Sequence, residues 1–296
     1  DLWGRIRSRT AAEDFRVEAT RADYEAAALS VSAEVARTWF GLVVARRQEA
    51  LLESQVETNE TVLRLLRNRF GSGQILRTDI LQQTRLVEQT REQLYAAQAR
   101  SRVLEHQLAV LLGRVPQEGI GLSVEALPGL PSLPETGLPA ELVRRRPDMR
   151  AAWNRLMAAD RDLAAAGAER YPWITLSGSL FTEENDAINF FDEWIRSLVG
   201  NVVLPVIDGG RRRAVAEEAE AVRMQLLNAY GQTMLEAFRE VEDALVREDR
   251  QRRQLESLEE QLRLARETYQ QLRRQYFNGV TDYLDVLTAL TDEQRL

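Results

Sequence analysis

The chain has 296 residues, 44% hydrophobic and 29% charged, with a formal net charge of −7 and no cysteine. Mild acidity argues against nucleic acid, whose phosphates need a basic face, and the lack of cysteine excludes disulfides, thiolate metal sites and thiol nucleophiles. No run approaches 18 consecutive apolar residues, so no transmembrane helix is expected.

The chain opens on Asp1-Leu2-Trp3-Gly4-Arg5, without the basic and apolar regions of a signal peptide. This opening lies inside a motif that recurs. A shift of 206 residues carries Gly4-Arg5 onto Gly210-Arg211, and without a gap it also pairs Tyr24 with Tyr230 and Glu34-Val35 with Glu240-Val241. The same shift pairs Arg46-Arg47-Gln48 with Arg252-Arg253-Gln254, Leu66-Arg67 with Leu272-Arg273, and Phe70 with Tyr276. Gly73 meets Gly279, Asp79 meets Asp285 and Leu81 meets Leu287. About one position in five is identical over the overlap, the mark of an internal duplication. The expectation is a doubled protein, trimmed at both ends.

Each copy reads as a long helix, a tight turn and a returning helix. In the first, Leu52, Val56, Asn59, Leu63, Leu66 and Phe70 alternate in steps of four and three. In the second, Leu258, Leu262, Ala265, Tyr269, Leu272 and Tyr276 repeat the stripe. Leu76, Ile80, Gln83, Val87, Thr90, Leu94, Ala97, Ser101, Leu104, Leu108 and Leu111 continue it on the returning helix. Such spacing is a heptad seam for helices packed side by side. At 1.5 Å per residue the first helix would reach about 90–100 Å, and so narrow a stripe needs neighbouring helices or chains to cover it.

Glycines break the helices. Phe70-Gly71-Ser72-Gly73 and Phe277-Asn278-Gly279 tolerate the left-handed backbone of a turn, and Thr78-Asp79 and Thr281-Asp282 offer capping oxygens to the next helix. A Gly/Pro-rich connector follows the first copy, and an Ala-rich helix is expected from Pro147 to Arg170.

From Trp173 the period changes to two. Ile174, Leu176, Gly178 and Leu180 share one face, and Thr175, Ser177 and Ser179 the other. After an acidic stretch, a second strand is expected from Trp194 to Ile207, with Leu198, Gly200, Val202, Leu204 and Val206 on one face and a mixed set, Ser197, Val199, Asn201 and Val203, on the other. Each strand has about the 9–11 residues that cross a tilted bilayer. Trp173, Phe181, Phe190, Phe191 and Trp194 gather at strand ends, as interfacial aromatics do. A hairpin packed on a helix fits the strands equally well. If instead it enters lipid, it must close a barrel with other strands, because an open edge is forbidden there.

The stretch Leu138-Pro139-Ala140-Glu141-Leu142-Val143-Arg144-Arg145-Arg146-Pro147-Asp148 resembles a signature of the outer-membrane factors of resistance–nodulation–division efflux pumps, the TolC-type channels, in their NodT-like branch. Pro172-Trp173-Ile174-Thr175-Leu176-Ser177-Gly178-Ser179 is similar to their second-hairpin strand. Pro205-Val206-Ile207-Asp208-Gly209-Gly210-Arg211 is similar to their strand-to-helix junction, and Leu111-Leu112-Gly113 to the end of a returning helix.

The resemblance implies a fold that is mainly α with a β-hairpin. Internally duplicated, long antiparallel helices would form a trimeric α-barrel joined to an outer-membrane β-barrel. The expected division is a first helical repeat at 1–112, an equatorial connector at 113–146, a helix leading to the membrane at 147–171, a transmembrane hairpin at 172–207 and a second repeat at 208–296. The implied function is a passive efflux duct across the periplasm and the bacterial outer membrane. It would be a homotrimer in outer-membrane lipid, joined to a periplasmic adaptor (membrane fusion) protein and an inner-membrane transporter of the resistance–nodulation–division type. Neither enzymatic activity nor a cofactor or metal is implied. Many relatives carry a lipidated N-terminal cysteine.

The two glycine turns correspond to the periplasmic tips, so Gly73, Gly279 and Thr281 are candidate adaptor contacts. Asp285 matches an aspartate ring across the closed aperture, where three carboxylates would focus negative potential and attract cations; an aspartate near a helix start is also favoured by the macrodipole alone. Asp79 matches a residue that bonds a neighbouring tyrosine, and Tyr276 matches that tyrosine. The arginine that completes such a latch aligns with Thr281, and a second gate aspartate with Thr288. His106 points off the seam and reads as solvated. Arg144-Arg145-Arg146 reads as a solvated helix edge or a source of interchain ion pairs, ahead of an anion site. The rival readings of the chain are a soluble coiled-coil scaffold and a membrane-curving bundle, the latter wanting a basic face.

Overall fold

A computed structural model describes residues 1–116, 127–129, 145–181 and 195–296. The expected interfacial aromatics Phe190, Phe191 and Trp194, the acidic stretch and most of the connector, including 138–144 of the signature, lie outside them. The described elements are α1 (Arg5–Gly71), α2 (Arg77–Leu111), α3 (Pro147–Ala168), β1 (Trp173–Phe181), β2 (Ile195–Val203), α4 (Arg211–Phe277) and α5 (Tyr283–Arg295).

The 206-residue shift recurs in the backbone. It carries both ends of α1 onto both ends of α4, each 67 residues long, and the start of α2 onto the start of α5. Gly4 and Gly210, which precede the long helices, have φ of 74° and 84°. That left-handed region clashes with a Cβ, which is why glycine holds both places.

By contacts the chain divides into two units. The first comprises 1–28 and 134–241. In it the start of α1 lies antiparallel to α3 through small residues: Ala12, Ala19 and Ala22 are buried on one helix, and Ala151, Ala158 and Ala165, spaced by heptads, on the other. A seam of alanines lets backbones approach closely and gains dispersion energy without rotamer entropy. Ion pairs flank the seam in antiparallel order: Arg9 with Glu169, Arg16 with Asp162, Asp23 with Arg155 and Glu25 with Arg150. Their exposure makes them register marks more than sources of stability. Met149 of α3 packs on Ala237 of α4, with Tyr230, Met234 and Phe238 around them.

The hairpin belongs to this unit. β1 and β2 pair antiparallel from Trp173↔Val203 to Phe181↔Ile195. The second strand is shorter than expected and stops at Val203, because Pro205 has no N–H to give to a ladder.

The second unit comprises 29–133 and 242–296. Here Leu52, Leu63 and Leu66 of α1 and Leu86, Val87 and Leu108 of α2 are buried, whereas Phe70 at the end of the expected stripe is exposed. In the second copy Leu258 is exposed, and Leu262, Ala265, Tyr269, Leu272 and Tyr276 are only partly buried. Leu76 departs from the expected stripe and is exposed, since it is the N-cap of α2 and its extended backbone turns it outward. One window of α1 would cross a membrane by length and composition, which the count of consecutive apolar residues missed. Within α1, Leu42 and Val43 are fully buried and Gly41 faces Leu104 of α2, while Leu29, Val31, Phe40 and Val44 are exposed.

Candidate functional site

Two places carry the candidate residues: the turns between helices in the second unit, and the hairpin in the first. The turns are superimposable in their bonding. In the first copy the N–H groups of Ser72, Gly73 and Gln74 donate to the carbonyls of Arg69, Phe70 and Arg69 at 3.2, 2.9 and 3.1 Å. In the second, Asn278, Gly279 and Val280 donate to Gln275, Tyr276 and Gln275 at 3.2, 3.1 and 2.9 Å, each pair displaced by the repeat. Gly73 and Gly279 close the turns at φ of 73° and 72°. Both are exposed, as Val280 and Leu76 are, leaving an apolar rim at the tip.

The capping oxygens act differently from the expectation. Thr78 and Asp79 lie inside the first turn of α2, where the Asp79 carboxylate reaches back to accept the Leu76 N–H at 3.2 Å. Asp282 is the N-cap of α5, with no side-chain capping bond. Thr281 instead donates its hydroxyl to Asp285. Asp285 lies on the exposed face of α5 that also carries Thr288, whose hydroxyl bonds back to the Leu284 carbonyl at 2.9 Å.

Tyr276 makes no bond to Asp79. Its hydroxyl is buried without a partner among the described residues, while its ring lies 5.7 Å from that of Tyr283 and 5.4 Å from the Arg69 guanidinium. The bonded tyrosine is Tyr283. It is only 5% exposed, packs with Leu66, Leu86, Val286, Leu287 and Leu290, and donates to Oε1 of Gln83. Burial pushes its phenol well above the ordinary tyrosine range, so it remains a donor.

Gln83 and Asn59 are both 0% exposed. Gln83 donates to the Asn59 carbonyl at 2.8 Å, and the Asn59 amide donates to Thr90 at 3.0 Å. Asn59 and Gln294 exchange bonds of 3.1 and 3.3 Å between their amides. Sequence reading placed Asn59, Gln83 and Thr90 on the seam but missed Tyr283 and Gln294 as their partners. The signal was there: polar residues at three seam positions demand partners when buried. Glu105 was missed as well; it is buried between Arg46 and Arg102 at 3.6 and 3.3 Å. The neighbouring His106 is exposed.

In the first unit, Arg146 of the basic triplet bridges Asp148 and Glu240 at 2.8 and 2.7 Å. Its hydrogen bonds hold the Asp148 carboxyl below the ordinary carboxylate range; desolvation opposes this, and the Met149 N–H assists it. Trp173 begins β1 under the Arg212 guanidinium, 5.3 Å from its ring centroid. Beside it Trp3 stacks on Tyr171 at 5.0 Å and donates to the Pro172 carbonyl at 2.6 Å. Phe181 ends the same strand.

The register of the hairpin aligns its faces. Ile174 opposes Val202, Leu176 opposes Gly200, and Gly178 opposes Leu198 on one side. Thr175 opposes Asn201 and Ser179 opposes Ser197 on the other. Leucine leans over the glycine opposite, with Leu198 Cδ1 3.9 Å and Leu176 Cδ1 4.0 Å from where a Cβ would stand. The apolar face is bare: Leu176 and Leu198 are 71% and 74% exposed.

The fold defines a class, a two-stranded hairpin carried on duplicated long helices, and similarity identifies the family. Residues 1–114 and 138–295 match the model of the outer membrane efflux proteins, and the chain belongs to that family. It is 32% identical to outer membrane protein OprJ of Pseudomonas aeruginosa, covering 98% of this chain and 61% of OprJ. The crystal structure of a membrane protein from Pseudomonas aeruginosa superposes with a TM-score of 0.91 at 31% identity, over 100% of this chain and 68% of that one. The outer-membrane channel OprN gives a TM-score of 0.90 at 28% identity, over 99% of this chain and 66% of that one. The chain therefore spans about three fifths of the length of OprJ.

Proposed function

We propose that this chain is a protomer of an outer-membrane efflux channel, a passive exit duct across the periplasm and the outer membrane. The observation that carries this reading is the hairpin. Over the nine paired residues one face is bare and apolar except for Arg196 opposite Leu180, and the other mixes Thr175, Ser177, Ser179, Ser197 and Asn201 with Trp173, Val199 and Val203, which is read as a strand pair between lipid and an aqueous lumen. Two strands leave two unpaired edges, and lipid tolerates none. The edges are closed by further strands of the same protein and by two more copies, giving a homotrimer whose long helices line the periplasmic tunnel.

The turns at Gly73 and Gly279, with Thr281, form the periplasmic tip that meets an adaptor protein, which in turn joins an inner-membrane transporter of the resistance–nodulation–division type. Asp285 faces outward near that tip, where three copies would ring the axis with carboxylates and favour cations in the closed pore. Asp79 and Tyr276 are the other gate residues of this reading. Trp173 and Phe181 mark the two membrane boundaries, as interfacial aromatics do. A wide duct supplies no chemistry, so the exported compounds are chosen by the transporter.

Planar-bilayer recording of the full-length protein tests the reading. Asp285→Ala is expected to raise the closed-state conductance and to weaken block by multivalent cations. Currents identical to the unsubstituted protein would remove Asp285 from the constriction, and a protein that forms no channel at all would refute the duct.

A further inference from the structure

The two long helices begin with the wrong charge for their own dipoles. A helix start is partly positive and favours carboxylates, yet neither α1 nor α4 carries an acid in its first turn. Arginines stand there instead: Arg5 and Arg7 on one helix, and Arg211, Arg212 and Arg213 on the other. In a chain with a net charge of −7 this is a local excess of positive charge.

The fold gathers that charge in one place. A cavity of about 430 Å³ lies where the hairpin meets the two helix starts, with Arg5, Arg211 and Arg212 in its wall beside Trp3, Tyr171 and Trp173. Leu2, Ile6 and Ile174 also line it and are exposed. The acids here are already engaged. Glu169 pairs with Arg9, Asp1 accepts the Arg7 N–H at 2.8 Å, and Asp208 accepts the N–H groups of Gly210 and Arg212 at 3.1 and 3.2 Å. Arg5 and Arg212 stand 3.9 and 3.7 Å from the nearest carboxylate oxygens, beyond hydrogen-bond range. Nη1 of Arg212 is buried and has no hydrogen-bond partner among the described residues. The Arg211 side chain forms no ion pair among them either.

We propose that this cavity binds the phosphate of an anionic phospholipid from the periplasmic leaflet of the outer membrane. The proposal rests on the reading of the hairpin as membrane-spanning, which puts Trp173, on the side of the helices, at the periplasmic boundary. Guanidinium groups donate paired N–H bonds that match phosphate oxygens, and one such oxygen satisfies Nη1 of Arg212. Trp3, Tyr171 and Trp173 suit the headgroup level of a bilayer, and Leu2, Ile6 and Ile174 suit the first acyl carbons. A zwitterionic headgroup carries no net charge and gains less from the three arginines.

The test uses the full-length protein in nonionic detergent, with bound lipid per chain counted by native mass spectrometry and assembly checked by size exclusion. Phosphatidylglycerol should be retained several-fold better than phosphatidylcholine, and an equal concentration of inorganic phosphate should not displace it. Arg5→Gln and Arg211→Gln should each weaken retention about fivefold, and the double variant should lose the preference. Arg213→Gln should keep it, because Arg213 pairs with Glu217 and does not line the cavity. Should the double variant fail to assemble, the single variants decide. Equal retention of the two lipids overturns the site, as does a preference that survives loss of Arg5 and Arg211. Equal losses in Arg211→Gln and Arg213→Gln overturn it too, by assigning the effect to general surface charge. Displacement by inorganic phosphate overturns the lipid assignment in favour of a free phosphate. If the protein needs detergent but shows no lipid preference, this site falls and the hairpin reading stands. If the protein stays monodisperse without detergent, the hairpin reading falls and takes the site with it.

Discussion

Gly73 and Gly279 stand 206 residues apart with φ of 73° and 72°, each accepting the chain from a 67-residue helix through the same three backbone hydrogen bonds. The duplication is therefore a duplication of turn geometry and not only of helix length. At both turns a side chain would be strained whatever the space around it, and nothing lies within 4 Å of a Cβ there.

A direct consequence follows for substitution at the turns. Gly279→Ala and Gly73→Ala should each lower stability by about 1–2 kcal/mol, the cost of a left-handed alanine. Gly71→Ala should be neutral or slightly stabilising, because Gly71 is the last residue of α1 and has no positive φ. Thermal unfolding midpoints of the three variants check this. Equal midpoints for Gly71→Ala and Gly279→Ala would show that backbone strain does not govern the tips.

The Arg146 bridge makes stability depend on pH. Asp148 has a carboxyl held below its ordinary value, first by the Arg146 hydrogen bonds. A depressed folded-state value contributes stability that is present above the unfolded value, about 4, and is lost as pH falls through the folded value. Since both side chains are a third or so exposed, solvent screening limits the contribution to about 1 kcal/mol. Asp148→Asn should thus lower the unfolding midpoint at pH 7 and leave it unchanged at pH 2. A deficit of equal size at both values would assign the effect to packing instead.

The hairpin separates its two faces in a way that substitution can read. Leu198→Arg places a charge near the middle of the apolar face, where lipid would penalise it by about 2–4 kcal/mol. Ser177→Arg, one pair along and on the polar face, should be tolerated. The amount of full-length protein recovered in the outer-membrane fraction reports the difference. Equal recovery would mean that neither face meets lipid.

Much of the fold was legible because periodicity and the repeat report backbone geometry directly. The seam from Leu52 to Leu66 and from Gln83 to Leu108 is buried as spaced, and Gly4, Gly73, Gly210 and Gly279 mark turns that only glycine adopts cheaply. The misses have physical causes. Pro205 ends β2 early, and Leu76 leaves the stripe because a cap residue is extended rather than helical. The network was illegible in its partners. Asn59 and Gln294 lie 235 residues apart, and Tyr283 and Gln83 lie 200 apart. Sequence spacing names the faces of single helices, whereas the axial register between helices sets which amide meets which.

The proposed duct requires a hairpin that seeks lipid and a barrel completed by three chains. Light scattering of the full-length protein after size exclusion, with and without detergent, tests both together. The prediction is a particle of three chains in detergent and aggregation on its removal. A monodisperse species that stays in solution without detergent, at any number of chains, would contradict it.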